Sequence, residues 1–304
     1  MRLNLGVHVS IQGGIHLAPL RAHQLGCESI QIFTKSNLQW RAVPLRAAEV
    51  TAFRARCRAW HLYPRVGHTS YLLNLASPDD LLWRRSVDSF VTEVTRAEHL
   101  GLDALVTHPG AHLGAGETEG LHRVRAGLRE VLERSTDSHI VLCLEITAGA
   151  GTTLGGRFEH LSAILQGLEP ATRLGVCLDT AHLHAAGYDL RTKSAYRQTL
   201  AEFDRVIGLN RLRVLHLNDS QAVLGSHLDR HEHIGHGTLG LQPFKRLLRE
   251  EHFRTLPKIL ETPKGRKGRI DWDFINLRLL RQLAGEVKRA STEDQVRNGS
   301  TVFF

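Results

Sequence analysis

Short apolar runs recur along this chain with room for a helix between each, and most of them stop on a side chain able to bind a metal ion. VGHTS reaches His68, LVTHPG reaches His108, VLCLEIT reaches Glu145, LGVCLDT reaches Asp179, VLHLND reaches His216 and KILETP reaches Glu261. With the two runs nearest the N-terminus included, strands are expected near residues 3–9, 29–33, 62–68, 104–108, 140–145, 174–179, 213–218 and 257–262. The intervening stretches carry helical periodicity. From Asp79 to Leu100, for example, Leu82, Val87, Phe90, Val91, Val94 and Ala97 recur at helical spacing. Ser77, Pro78 and Asp79 open that element and Gly101 stops it. Eight strands alternating with helices imply βαβ crossovers and a parallel sheet. In about this length they predict an α/β fold, a single (β/α)8 TIM barrel. Residues 1–285 are expected to form that barrel as one domain. Residues 286–304 end in STEDQVRNGSTVFF, which lacks periodicity and is expected to be a loosely ordered tail.

In such barrels the active site lies at the C-terminal rim of the strands, so a polar residue that ends a strand reads as functional. Imidazole and carboxylate are the ligands that hard and borderline divalent ions take, and six strand endings of this kind predict a metal site on the rim. The four cysteines, Cys27, Cys57, Cys143 and Cys177, show no C-x-x-C spacing, which argues against a disulfide framework or a thiolate zinc site. Cys143 and Cys177 precede Glu145 and Asp179 by two positions. Period-two alternation therefore points both thiols into the barrel, below the site.

The 304 residues, 42% of them hydrophobic, suffice for a large core. No apolar stretch approaches the roughly 20 residues that span a bilayer. The start MRLNLGVHVS has no signal-peptide pattern, so a soluble, cytoplasmic protein without membrane attachment is expected. A formal charge of +8 favours an anionic partner, although an arginine bias from base composition would give the same balance.

Three clusters add candidates. LDTAHLHAAGYD places His182 three residues after Asp179, where it either shares one cavity with it or merely packs locally. In HLNDSQAVLGSHLDRHEHIGHG, an extended segment would turn Asp229 and His231 to one side, a pattern that is weak by itself. HPGAHLG turns sharply after His108, with His112 a surface or supporting group.

Read together, VGHTSYLLNLASP, THPGAHLG, LEITAGAG, LDTAHLHAAGYDL, HLNDSQAVLGSHLDRHEHIGHG and ILETPK resemble the signature blocks of endonuclease IV, the metal-dependent apurinic/apyrimidinic endonucleases. The likeness runs in the family's order from GVHVS to beyond Glu261, and the DRH loop and GYDL segment are specific to the family. It implies three divalent ions, zinc foremost, with manganese able to take one or more sites. His68, His108 and Glu145 would hold the first. Glu145 would bridge to a second, also held by Asp179, His216 and Glu261, while His182, Asp229 and His231 would hold the third. The implied reaction is metal-assisted hydrolysis of the phosphodiester 5′ to an abasic site in duplex DNA. It leaves a 3′-hydroxyl and a 5′-deoxyribose phosphate, with related cleaning of blocked 3′ ends. Glu145 is the expected catalytic residue, ligand first and proton acceptor second.

For damaged DNA, the resemblance makes Tyr71 and Leu72 a wedge that fills the gap in the stack, and assigns contacts to Lys35, Asn37 and Gln39 in FTKSNLQW. Lys35 is expected to be available to phosphate. The chain departs from the family pattern at Leu38, where Arg is common, at Ile146, where Asn is common, and at His236, where Glu is frequent. None of these is a ligand position. No obligate protein partner is indicated, and a monomer is expected. Two other readings are a metal-dependent sugar isomerase or epimerase of the related barrel type, and a DNA-binding barrel without catalysis. The first does not need the DRH loop, and the second does not need nine ligands.

Overall fold

In a parallel sheet wrapped by helices both faces of each strand are buried, and the runs that build this barrel are accordingly rich in apolar residues. The structure is a computed structural model that describes residues 2–285, so the expected tail, 286–304, lies outside the described residues. Its strands are β1 (Leu5–His8), β2 (Ser29–Phe33), β3 (Arg65–His68), β4 (Ala104–Thr107), β5 (Val141–Glu145), β6 (Leu174–Asp179) and β7 (Leu212–His216). A short hairpin follows, β8 (Asp219–Ser220) with β9 (His231–Glu232), and then β10 (Lys258–Leu260). Strands β1 to β7 and β10 close into a parallel barrel in the order β1-β10-β7-β6-β5-β4-β3-β2. This is the (β/α)8 architecture that the sequence predicts.

Helices α1 (Ala18–Gln24), α2 (Ala47–Ala59), α3 (Asp80–Leu100), α4 (Glu117–Glu133), α5 (Phe158–Leu165), α6 (Thr180–Ala186), α7 (Lys193–Val206), α8 (Leu241–Leu247) and α9 (Trp272–Ala284) surround it. Helix α3 follows its sequence signals closely. The Asp79 carboxylate accepts from the Leu82 N–H at 2.9 Å, and Gly101 ends the helix at φ 69°, a left-handed conformation that glycine adopts without strain. Val87, Phe90, Val94 and Ala97 are fully buried against the barrel. Each of the larger side chains contributes about 1.5–3 kcal/mol by leaving water. Two elements were not expected. The chain after Asp179 enters the short helix α6 at once, and the DRH loop doubles back as the β8–β9 hairpin.

Inside the barrel, Val66, Ala104, Val106, Cys143, Cys177, Val214 and Ile259 form a small apolar cluster of their own. Both thiols are fully buried and free, as the alternation in β5 and β6 requires. This buried layer floors the rim site.

At the opposite end, Lys258 opens β10 as a buried cation. Its Nζ donates to the carbonyls of Leu3 at 3.1 Å, Phe253 at 2.6 Å and Leu256 at 3.0 Å. Burial pushes the ammonium down to about 8, against about 10.4 in an unfolded chain. Between these values the unfolded chain binds more protons than the folded one. The burial penalty is therefore complete below pH 8 and is relieved as the pH climbs toward the unfolded value. In urea unfolding, the stability of the wild type minus that of Lys258→Met should rise from pH 8 to pH 10. A flat or falling difference would contradict this account.

Candidate metal centre

Because all barrel strands are parallel, their final residues share one rim. His68, Glu145, Asp179 and His216 end β3, β5, β6 and β7, while His108 and Glu261 stand one residue beyond β4 and β10. Asp179 and His216 are direct register partners. The other three candidates reach the rim by different routes. His182 lies in the first turn of α6, and the β8–β9 hairpin carries Asp229 and His231 back over the strand ends.

The nine side chains form three contiguous groups. In the first, the Nε2 atoms of His68 and His108 each lie 3.1 Å from Glu145 Oε2. In the second, His216 Nδ1 lies 2.9 Å from Glu145 Oε1, 3.1 Å from Glu261 Oε2 and 3.9 Å from Asp179 Oδ2. In the third, His182 Nε2 is 3.2 Å from Asp229 Oδ2, and His231 Nε2 is 3.4 Å from Asp229 Oδ1 and 3.7 Å from Asp179 Oδ2. Glu145 thus offers one oxygen to each of two groups, and Asp179 Oδ2 stands between the second and third. Within the sets His68–His108–Glu145, Glu145–Asp179–His216–Glu261 and Asp179–His182–His231, the ligand atoms all lie within 4.8 Å of one another.

The donor set suits divalent cations. His68 Nδ1 faces the Thr69 carbonyl at 2.8 Å, His182 Nδ1 the Ile146 carbonyl at 2.9 Å, and His231 Nδ1 the Glu261 carbonyl at 3.2 Å. His216 Nε2 faces Gln31 Oε1 at 2.9 Å. Each of these contacts anchors one ring nitrogen on an outer acceptor and turns the other toward the centre, the usual arrangement of ligating histidines. His231 Nε2 is buried with no hydrogen-bond partner among the described residues, an orphaned acceptor that a cation would satisfy.

Electrostatics point the same way. Burial opposes charge on Glu145, but His216, His108 and His182 outweigh it and hold the carboxylate well below its ordinary range. Burial likewise opposes protonation of His182 and His216. For His182, Asp179, Asp229 and Glu145 raise the pKa well above normal, and for His216 the carboxylates of Glu261 and Glu145 do so. Asp229 sits at the more exposed edge, where desolvation still opposes its charge, yet its bond to His182 brings it to about 2. A cluster that retains anions and attracts protons is one that attracts metal cations.

Sequence reasoning missed three supporting side chains. His8 Nδ1 lies 2.9 Å from Glu261 Oε1, and Gln31 Nε2 donates to the same oxygen at 2.6 Å. Asn218 Nδ2 donates to Asp179 Oδ2 at 2.5 Å, while its carbonyl oxygen accepts from the Glu261 N–H at 2.8 Å. The signals were present: GVHVS ends on a histidine like the other strands, and Gln31 is polar between two isoleucines in a buried strand. Cys177 was assigned packing alone, and its sulfur lies within 4.8 Å of ligand atoms of Glu145 and His216. Burial raises that thiol well above its ordinary pKa, which favours the neutral form and leaves ligation to the carboxylates.

Beside the first group opens a cavity of about 220 Å³ lined by His68, Tyr71, Asn74, Thr107 and His108. Tyr71 is 57% exposed at its edge, its ring centroid 5.5 Å from that of His68, and Leu72 is half-buried behind it. On the neighbouring loop, Leu38 projects with 78% exposure; Gln39 is exposed and Asn37 half-buried. Lys35 corrects an expectation. It is only 3% exposed, with Nζ donating to the Gln39 carbonyl at 2.7 Å and lying 3.7 Å from Glu93, so it is not free to meet a phosphate. Ile146 is fully buried and serves through its backbone carbonyl, and His236 is exposed beside Trp272.

The profile of a family described as "xylose isomerase-like TIM barrel" matches residues 19–283. A Geobacter sulfurreducens protein named probable endonuclease 4 is 46% identical over 96% of this chain and 97% of its own length. A Chloroflexus aurantiacus protein of the same name is 45% identical over 91% and 97%. The chain belongs to the endonuclease IV family. The crystal structure of endonuclease IV from Thermus thermophilus superposes with a TM-score of 0.82 at 38% identity, covering 93% of this chain and 99% of that one. A D-tagatose 3-epimerase-like protein matches at a TM-score of 0.68 with 18% identity over 92% of this chain and 98% of its own, a likeness of fold alone. Endonuclease IV is a metal-dependent family, and the rim clusters provide the candidate sites. No helix among the described residues is long and apolar enough to cross a membrane.

If Gln31 and Asn218 orient the second group, Gln31→Met should weaken zinc binding about 10–100-fold in chelator competition. Unchanged zinc affinity would show that Gln31 only packs.

Proposed function

We propose that this protein is a DNA-repair nuclease that hydrolyses the phosphodiester 5′ to abasic sites in duplex DNA, leaving a 3′-hydroxyl and a 5′-deoxyribose phosphate, and that it also trims blocked 3′ ends. One observation carries the reading beyond a generic metal barrel: the DRH hairpin adds Asp229 and His231 to His182, so that nine ligand-type side chains stand in three linked groups. The sugar-epimerase reading has only the shared fold behind it.

In this proposal His68, His108 and Glu145 hold one divalent ion, Glu145, Asp179, His216 and Glu261 a second, and His182, Asp229 and His231 a third. Zinc is the foremost occupant because imidazole and carboxylate both suit it; manganese is an alternative at one or more sites. Bound ions supply Lewis acidity, which neutralises charge growing on the phosphoryl oxygens and acidifies water beside the scissile bond. The chain's own groups do the rest. Glu145, buried between two groups of histidines, would serve first as a ligand and second as acceptor of the proton of the attacking water. The histidines stay oriented by their outward hydrogen bonds, and the apolar floor lies beneath. Tyr71 and Leu72 on one loop, and Asn37, Leu38 and Gln39 on another, flank the opening where a duplex would lie. A ring and an aliphatic chain there can occupy the space of a missing base, and the net charge of +8 favours approach of the polyanion. The protein is expected to act as a cytoplasmic monomer.

The decisive assay is incision of a duplex carrying one stable abasic analogue, with elemental analysis before and after chelation. Activity should vanish on chelation and return with zinc. Sugar epimerisation without incision would overturn the reading. Glu145→Gln should lower kcat by about 10²–10⁴-fold, the range of a lost general base, with duplex affinity little changed. Turnover retained in that variant would remove Glu145 from its catalytic role. Asp229→Ala should bind about one ion fewer per chain by elemental analysis, since it deletes a ligand that only the third group uses.

A further inference from the structure

Helix α3 carries one residue that its apolar face does not explain. Glu93 lies in line with Phe90, Val94 and Ala97 and is itself 0% exposed. A carboxylate so buried requires donors, and those it has come from two different loops. The Ser70 N–H donates to Oε1 at 3.0 Å, the Thr34 hydroxyl to Oε2 at 2.9 Å, and the Lys35 ammonium lies 3.7 Å away. The connections continue outward. Lys35 reaches the Gln39 carbonyl at 2.7 Å, and Ser70 Oγ donates to the Asn37 carbonyl at 2.8 Å while accepting from the Leu72 N–H at 3.3 Å. One turn along α3, Arg96 donates to the carbonyls of Thr34 at 2.9 Å and Val43 at 2.7 Å.

These bonds tie down the two segments that border the rim on this side, 34–43 and 69–76. Neither contains a strand or a helix, so no ladder fixes their shape. Stability alone does not call for a buried ion pair, because apolar residues of similar volume commonly stabilise as well or better. What apolar packing cannot do is specify which carbonyl sits against which donor.

We propose that Glu93 is a positioning residue for substrate recognition: it joins the Tyr71–Leu72 loop to the Asn37–Gln39 loop in one fixed arrangement, so that both meet damaged DNA together. The inference rests on the nuclease reading above and deepens it. Glu93 touches neither the ligand groups nor the reacting atoms; it acts through Thr34, Lys35 and Ser70.

The test combines two measurements on Glu93→Gln, which keeps the shape but loses the charge and one acceptor. Without DNA, hydrogen–deuterium exchange should rise about tenfold or more in 34–43 and 69–76 and stay unchanged in the barrel strands. With the abasic duplex, KM should rise about tenfold while kcat and metal content stay within about twofold of wild type. If Glu93→Gln does not fold, Ser70→Ala, which removes the hydroxyl's bonds to the Asn37 carbonyl and the Leu72 N–H but leaves Glu93 in place, should show the same split to a smaller degree. Unaltered loop exchange overturns the proposal. So does exchange that rises throughout the barrel, or a loss of kcat with KM unmoved, since either marks a general structural role. A wild-type protein that fails to incise would instead overturn the nuclease reading, and the exchange data, taken without DNA, would still decide whether Glu93 couples the loops.

Discussion

Glu145 is wholly buried at the end of β5, and four imidazoles converge on its two oxygens. An isolated carboxylate in such a place would be costly to keep ionised, and two more, Asp179 and Glu261, stand close by. The cluster is tolerable only with positive charge among the anions, supplied by protons on the histidines or by metal ions. Much of the rim is arranged around that requirement. Outward hydrogen bonds orient the imidazole rings, Gln31 and Asn218 hold the carboxylates, and the valine and cysteine layer lies beneath. Metal binding and folding are therefore thermodynamically linked, since ions that favour the native rim stabilise the native chain.

The barrel was legible because a parallel strand buried on both faces leaves a largely apolar run, and because a polar residue that closes such a run marks the rim. His68, Glu145, Asp179 and His216 end their strands as read, and His108 and Glu261 follow theirs by one residue. His182, Asp229 and His231 were less legible from spacing alone. Their convergence depends on a short helix and a hairpin of two-residue strands that local patterns do not specify, and resemblance to a family supplied what periodicity could not.

Lys35 was misread for a related reason. A lysine just after a strand in a basic protein suggests solvent and phosphate, yet its position depends on a carboxylate far along the chain, at Glu93. Glu93 in turn disappears into the polar background of α3, where nothing in the sequence separates a buried glutamate from an exposed one. His8, Gln31 and Asn218 escaped notice because their importance lies in what they hold. Hydrogen-bond partners distant in sequence leave little local trace, whereas strand ends do.

Asp179 carries two duties at once. Its Oδ1 accepts the Ala181 and His182 N–H groups at 2.7 and 2.9 Å, starting α6, while Oδ2 faces the ligand cluster. Asparagine would preserve the helix start but turn an uncharged amide toward the centre, and glutamate would move the anion outward by a methylene, away from both tasks. Helix initiation and cation capture thus compete for one small side chain, which leaves this position with almost no latitude for exchange. The same economy makes His182 dependent on Asp179 for its backbone as well as its charge environment, so damage at one residue is inherited by the other.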